Sequence, residues 1–140
     1  MDFVSHSLIT GRRFRALTIP NDFSRECLAI EVGTPIGGVR VVNTLERLAE
    51  LRGLAEVITI DNRPEFVGML DEWAFRNGVK LNFVRPGKSV ENAYIESFNG
   101  KLRDECLNQN WFITLKYARE AIKAWRVDCN EFRPRSSLGD

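Results

Sequence analysis

The sequence predicts a mixed α/β layer, with helices packed on a sheet. Three observations carry this. Apolar residues alternate with a period of two near the start of the chain. They recur at spacings of three and four in several later segments. Short β-branched runs fall between those helical segments, which is the order of a layered α/β domain. No internal repeat, low-complexity stretch or linker breaks the pattern, so residues 1–140 read as a single domain.

The elements follow in order. Asp2 opens a first strand candidate. Arg12 to Ile19 is a second, with Phe14, Ala16 and Thr18 on one face, and Pro20-Asn21-Asp22 punctuates it. Cys27 to Val32 is a third, with Leu28, Ile30 and Val32 alternating, so the pair reads as a hairpin across Pro20 to Arg25. Thr34 to Gly38 is a loop. Val41, Leu45, Leu48 and Arg52 then fall at helical spacing, with Gly53 placed as a helix terminator. Val57 to Ile60 is a β-branched run that predicts a buried strand ending at Asp61. Pro64 to Gly78 predicts a helix carrying Phe66, Leu70, Trp73 and Ala74. Lys80 to Val84 is a strand with Leu81 and Phe83 on one face, and Arg85 to Lys88 a loop. A third helix runs from Val90 or Glu91 to Leu107 on the stripe Ile95, Phe98, Leu102 and Cys106. A fourth starts near Thr114 and carries Leu115, Ala118, Ile122, Trp125 and Cys129, with Pro134 beyond its end.

Composition excludes several classes. With 20 Lys and Arg against 19 Asp and Glu, the net charge of +1 excludes a histone-like protein and an acidic disordered tail. Local patches still permit nucleic-acid binding. No apolar run approaches the ~20 residues of a membrane span, and no secretory signal opens the chain. Cys27, Cys106 and Cys129 are far apart in sequence, and with one histidine, His6, they make no zinc-ligand set. The reading is a reduced, cytoplasmic protein.

The chemistry candidates are acidic. Asp61 stands at the C-terminal end of a buried strand, where open α/β sheets place functional groups. Glu96 lies off the apolar stripe of the third helix, sharing a polar face with Asn92, Asn99 and Arg103. Asp2 starts the first strand. Three carboxylates together suit hard cations such as Mg²⁺ or Mn²⁺. Two such ions can activate an attacking oxygen and stabilise a leaving oxygen of a phosphodiester. Among 19 acidic residues, an ordinary solvated acidic face is the competing reading, and spacing alone leaves both open. Gly87-Lys88-Ser89 lacks the upstream glycine of a phosphate-binding loop. His6 reads as a solvated histidine, and Ser24 and Ser97 lack a histidine partner. Trp73 and Trp125 read as core, whereas Trp111 is open to base stacking. Arg12-Arg13-Phe14-Arg15 reads equally as a DNA-backbone contact or as an exposed basic hairpin edge.

Longer strings then carry a resemblance. Asp61-Asn62-Arg63-Pro64-Glu65-Phe66 and the run from Arg85 to Gly100 (RPGKSVENAYIESFNG) resemble insertion-sequence transposases with a retroviral-integrase-like core. So do Met1 to Val4, Asn21 to Glu26, Arg103 to Asn108 and the tail Arg133 to Gly139, in the same order. The resemblance implies an RNase H-like fold, a mixed sheet flanked by helices, with its first strand truncated and the upstream DNA-binding region absent. It implies a catalytic and metal-binding triad of Asp2, Asp61 and Glu96 holding two Mg²⁺ or Mn²⁺ ions. The implied activity is DNA cleavage and strand transfer, that is, DNA integration and recombination. Asn92, Lys101, Arg103 and Lys88 are the implied DNA-binding residues. The implied partners are transposon-end and target DNA and further copies of the chain in a homo-oligomer, with no membrane and no small-molecule substrate.

Departures from the family pattern define an alternative. Asp2 stands beside the amino terminus, which tends to fray. Arg63 replaces a glycine, and the 34 residues between Asp61 and Glu96 are one fewer than the family has, the gap aligning near Val67-Gly68-Met69. The alternative is a catalytically inactive transposase remnant that at most binds DNA or a full-length transposase.

Overall fold

The computed structural model describes residues 1–21, 24, 26–61, 66–84 and 90–131, with 61 and 90–92 as backbone. Arg63, the loop with Lys88, and Pro134 lie outside the described residues. The central element is β2 (Arg13–Pro20), which pairs antiparallel with β1 (Asp2–Ser7) on one edge and β3 (Cys27–Gly33) on the other. The hairpin expected between the second and third strands is present. Because β2 is central, it is buried on both faces. Phe14, Ala16 and Thr18 face one side, as predicted, and Leu17 and Ile19 face the other. A second, two-stranded parallel sheet pairs β4 (Val57–Asp61) with β5 (Lys80–Val84). The Met1 amine donates to the Thr59 carbonyl and ties the start of β1 to β4.

Two apolar clusters lie on the two faces of the antiparallel sheet. One holds Val4, Phe14, Ala16, Cys27 and Val32 against Phe98, Leu102, Leu107, Phe112, Ile122 and Trp125. These come from α3 (Val90–Leu102), the π turn Arg103–Leu107 that continues it, and α4 (Leu115–Glu131). The other holds Leu17, Ile19, Val41, Leu45, Ile60, Leu70 and Trp73, drawing on α1 (Gly38–Arg52) and α2 (Val67–Asn77). Truncating a fully buried member such as Leu102 or Ile122 to alanine costs about 2–5 kcal/mol.

Local chemistry explains the helix boundaries. Gly53 and Gly78 take φ of +85° and +69°, which L side chains rarely adopt, and their N–H groups close the last turns of α1 and α2. The π turn closes with Asn108 N–H to Arg103 O at 2.8 Å. Its wider turn brings Leu107 to the buried side together with Leu102 and Cys106.

Four expectations change. The alternation Leu28, Ile30, Val32 is broken, because Ile19 pairs with Ala29 and Pro20 with Cys27, leaving Leu28 as an extra residue. Cys27 therefore joins Ile30 and Val32 on one face. β4 is not uniformly buried: Ile60 is, but Val57 is exposed at the open end of the two-stranded sheet. His6 is not simply solvated. It is half-buried, edge-on to Phe14 and Phe112 at 5.9 and 6.0 Å, and burial first, then Arg103 and Arg13, push its pKa down. Arg15 does not line a plain basic edge, since its guanidinium stacks 4.3 Å from the Phe3 ring centroid. Trp73 and Trp125 are core and Trp111 is exposed, as read. Among the described residues no helix is long and apolar enough to cross a membrane.

Candidate active site

The end of the β1–β2 ladder beneath α3 is where the candidate residues meet. Asp2 pairs with Thr18 across that ladder, so its side chain lies on the α3 face of the sheet. Its Oδ1 accepts the Phe3 N–H at 2.8 Å and its Oδ2 accepts the Asn99 side-chain amide at 3.2 Å. The Asn99 carbonyl oxygen is 3.0 Å from the Thr18 hydroxyl, which also lies 3.3 Å from the Asp2 carbonyl. Asn99 and Thr18 are both buried. The terminal residue is thus built into the sheet by pairing and by three side-chain contacts, which oppose the fraying expected there.

The electrostatics single out Asp2. Burial raises its carboxyl pKa above the ordinary value, and the nearby Glu96 carboxylate raises it further. The Phe3 N–H, the terminal amine and the Asn99 amide pull the other way without cancelling the rise. Two acidic groups are therefore held within mutual repulsion, one of them half-desolvated. Oxygen donors in that state fit a hard divalent cation, which relieves both penalties. Each Asp2 oxygen accepts one hydrogen bond and keeps a second lone pair available for a ligand.

The remaining candidates are distributed unevenly. Asp61 ends β4, opposite Val84 of β5, and only its backbone is described. Among the described residues no three His, Cys, Asp or Glu form a metal-binding group. Glu96 is exposed on α3. Asn92 lies one turn earlier and is described as backbone. Arg103 opens the π turn and donates to the Ser5 carbonyl at 3.3 Å, so it stands over β1. Lys101 is exposed but about 140° around the helix from Glu96, and the structure does not bring it to the site. Lys88 lies outside the described residues.

The expected shared polar face of α3 needs correction, because Asn99 is buried among polar partners from the sheet. Sequence reasoning missed it as the residue that holds Asp2. A signal was present: Asn99 is four residues after Ile95 and three before Leu102, which is the spacing of the apolar stripe. A polar residue at stripe spacing needs a buried partner, and Thr18 on the inward face of β2 supplies one.

An integrase core domain model matches residues 1–89, and a second model of the same description matches residues 77–140. The chain belongs to the integrase core domain family. It is an integrase core of the insertion-element transposase type. It is 50% identical over 139 residues to an uncharacterized 31.7 kDa protein of insertion element IS407 from Burkholderia multivorans, covering 99% of this chain and 50% of that protein. It is 44% identical to an uncharacterized 39.2 kDa protein of insertion element IS476 from Xanthomonas euvesicatoria, covering 99% of this chain and 40% of that protein. The integrase core thus spans half or less of the length of these curated relatives. Its fold is similar to that of the HTLV-2 integrase catalytic core domain in complex with magnesium (trimeric form; TM-score 0.70, 14% identity, 98% of this chain and 90% of that one). It is similar also to a chain of the simian T-cell lymphotropic virus intasome (TM-score 0.75, 13% identity, 96% of this chain and 48% of that one). The fold is RNase H-like, as the sequence led us to expect.

Proposed function

We propose that this integrase core cuts and joins DNA phosphodiesters, with Asp2, Asp61 and Glu96 as the catalytic and metal-binding triad. The observation that carries the reading is the Asp2 carboxylate, half-buried against Glu96 and fixed by Asn99. A structural carboxylate in such a place is usually paired with a cationic side chain. Asp2 is held instead beside a second acid, the arrangement that precedes cation binding.

Each residue has a defined task. Asp2 and Glu96 supply oxygen ligands from the sheet and from α3. Asp61 supplies a third from the end of β4. The Met1–Thr59 bond supports this: as a rung of a parallel ladder, it sets Met1 opposite Ile60 and Asp2 opposite Asp61. Asn99 holds one Asp2 oxygen, so the carboxylate keeps one rotamer. Two bound Mg²⁺ or Mn²⁺ ions would supply charge neutralisation at the attacking and leaving oxygens. Arg103, with Asn92, Lys88 and Lys101 as further contacts, meets DNA phosphates, which position the duplex without reading its sequence. Substrate DNA is transposon-end and target DNA, and the working form is a homo-oligomer. The magnesium complexes of the HTLV-2 core, in dimeric and trimeric forms, are consistent with this.

A thermal melt of the chain with and without millimolar Mn²⁺, beside Glu96→Gln, tests the site. An ion that binds only the native state raises Tm by mass action. The expected result is a rise of several degrees in the parent that vanishes in Glu96→Gln. A cooperative melt with no shift would overturn the metal site and favour the inactive remnant that at most binds DNA or a full-length transposase.

A further inference from the structure

We propose that the slot between β2 and β4, beyond Met1, is a docking site for one extended apolar peptide strand supplied by a partner protein. The slot is a cavity of about 430 Å³. Its walls include Ile19, Leu28, Leu45, Leu48, Ile58 and Trp73. They are apolar because they belong to the α1/α2 side of the sheet, and Leu28 reaches the slot because the bulge in β3 turns it there.

The borders of the slot are two strands. β4 is paired with β5 on one edge, and on the other the described chain offers it Met1. Backbone groups of successive strand residues point alternately to the two edges. The Glu56 carbonyl accepts Lys80 N–H from β5, and the Thr59 carbonyl accepts the Met1 amine. Val57 and Thr59 therefore turn their N–H and C=O groups toward the slot. On the far border, Asn21 N–H bonds Glu26 on the β3 side, so Pro20 faces the slot and offers a carbonyl alone.

The width follows from the same contacts. Residue 2 pairs with β2, and residue 1 bonds β4. The gap is therefore one strand wide, about twice the ~4.8 Å spacing of neighbouring strands. An α-helix, roughly 10–12 Å across with side chains, does not fit between two backbones so placed. The open edge of β4 spans Val57 to Thr59, so the occupant contributes about four residues at ~3.3 Å each. Running antiparallel to β2, it ends with its C-terminus toward Met1. Its side chains are apolar on the face toward Trp73 and Leu45. Strand addition of this kind draws affinity from main-chain bonds and specificity from alternate side chains. The site is separate from the proposed chemistry, and its test involves neither metal nor DNA.

The probe is a six-residue peptide alternating valine and threonine, with fluorescein on its N-terminus, titrated into the full chain by fluorescence anisotropy. Its partner probe is the same peptide N-methylated at alternate amides on the edge facing β4. The expected result is saturable binding, weakened about tenfold or more by N-methylation, as loss of one or two net hydrogen bonds requires. Val57→Pro, which removes the N–H facing the slot but no β5 bond, should weaken binding similarly. Hydrogen exchange at Val57 and Thr59 in the unaltered protein should slow when the peptide is added. Absence of saturable binding up to millimolar peptide would overturn the proposal, as would equal binding of the two peptides. Self-association of the chain that Val57→Pro abolishes and the peptide leaves intact would assign the slot to a second copy, and would overturn it too.

Discussion

Two half-buried carboxylates on one sheet, Glu31 and Asp2, have opposite fates. Glu31 on β3 is clamped by Arg47 at 2.6 Å and Arg40 at 3.1 Å. Burial pushes its pKa up, but the bonds from Arg47 and Arg40 outweigh that and hold it below the ordinary value. Asp2 on β1 has burial as the dominant influence and Glu96 as a neighbour, and its pKa is raised. Both are fixed by hydrogen bonds, so rigidity does not distinguish them. The sign of the surrounding charge does. A carboxylate satisfied by arginine stabilises the fold; one held against another acid destabilises it until a cation arrives.

That contrast can be broken experimentally, beginning with activity. Asp2→Asn and Glu96→Gln should each abolish metal-dependent DNA cleavage, a loss beyond the roughly hundredfold seen for outer-shell changes. Glu31→Gln should leave cleavage within about twofold when measured well below its unfolding temperature. A comparable loss in Glu31→Gln would erase the distinction.

Asn99→Ala comes next. It removes the holder of Asp2 but no ligand, so Mn²⁺ affinity, read from titrated Tm shifts, should fall roughly tenfold to a hundredfold. It also leaves the buried Thr18 hydroxyl with fewer partners, at a cost of about 1–3 kcal/mol by urea denaturation. Unchanged Mn²⁺ affinity would remove Asn99 from the site.

Stability effects are smaller and opposite in sign. Glu31→Gln should lower stability at neutral pH by about 1 kcal/mol, the upper end for partly exposed pairs. Asp2→Asn, in the absence of metal, should leave stability equal or higher, since it removes the repelled charge. A lower Tm for Asp2→Asn than for the parent would contradict the raised pKa.

The pH dependence separates the two most finely. The folded Glu31 pKa is lowered, so its contribution is present above the ordinary value, about 4.3, and is lost as pH falls through the lower folded value. The Glu31→Gln deficit should therefore close only in acid. The folded Asp2 pKa is raised, so the charged form costs stability above that value, and the cost disappears as pH falls through it toward the ordinary ~3.9. The Asp2→Asn advantage should therefore shrink at a higher pH than that at which the Glu31→Gln deficit closes. Melting curves from pH 3 to 7 check the order.

Most of the elements could be read from local pattern, because strands and helices bury one side with periods of two and 3.6. The helix ends at Gly53 and Gly78, the stripe through Ile95 and Leu102, and the hairpin after Pro20 all follow from residues adjacent in the chain. The family strings around Asp61 and Glu96 were equally visible. What needed the tertiary structure was every statement about pairing between distant segments. The inward turn of Asn99 depends on Thr18, which is 81 residues away. The extra residue at Leu28 depends on register against β2, to which periodicity within β3 is blind. The opposite charge environments of Glu31 and Asp2 depend on which helix lies over each: α1 brings arginines, whereas α3 brings Glu96. Periodicity reports which side of an element is buried; only packing decides what it is buried against.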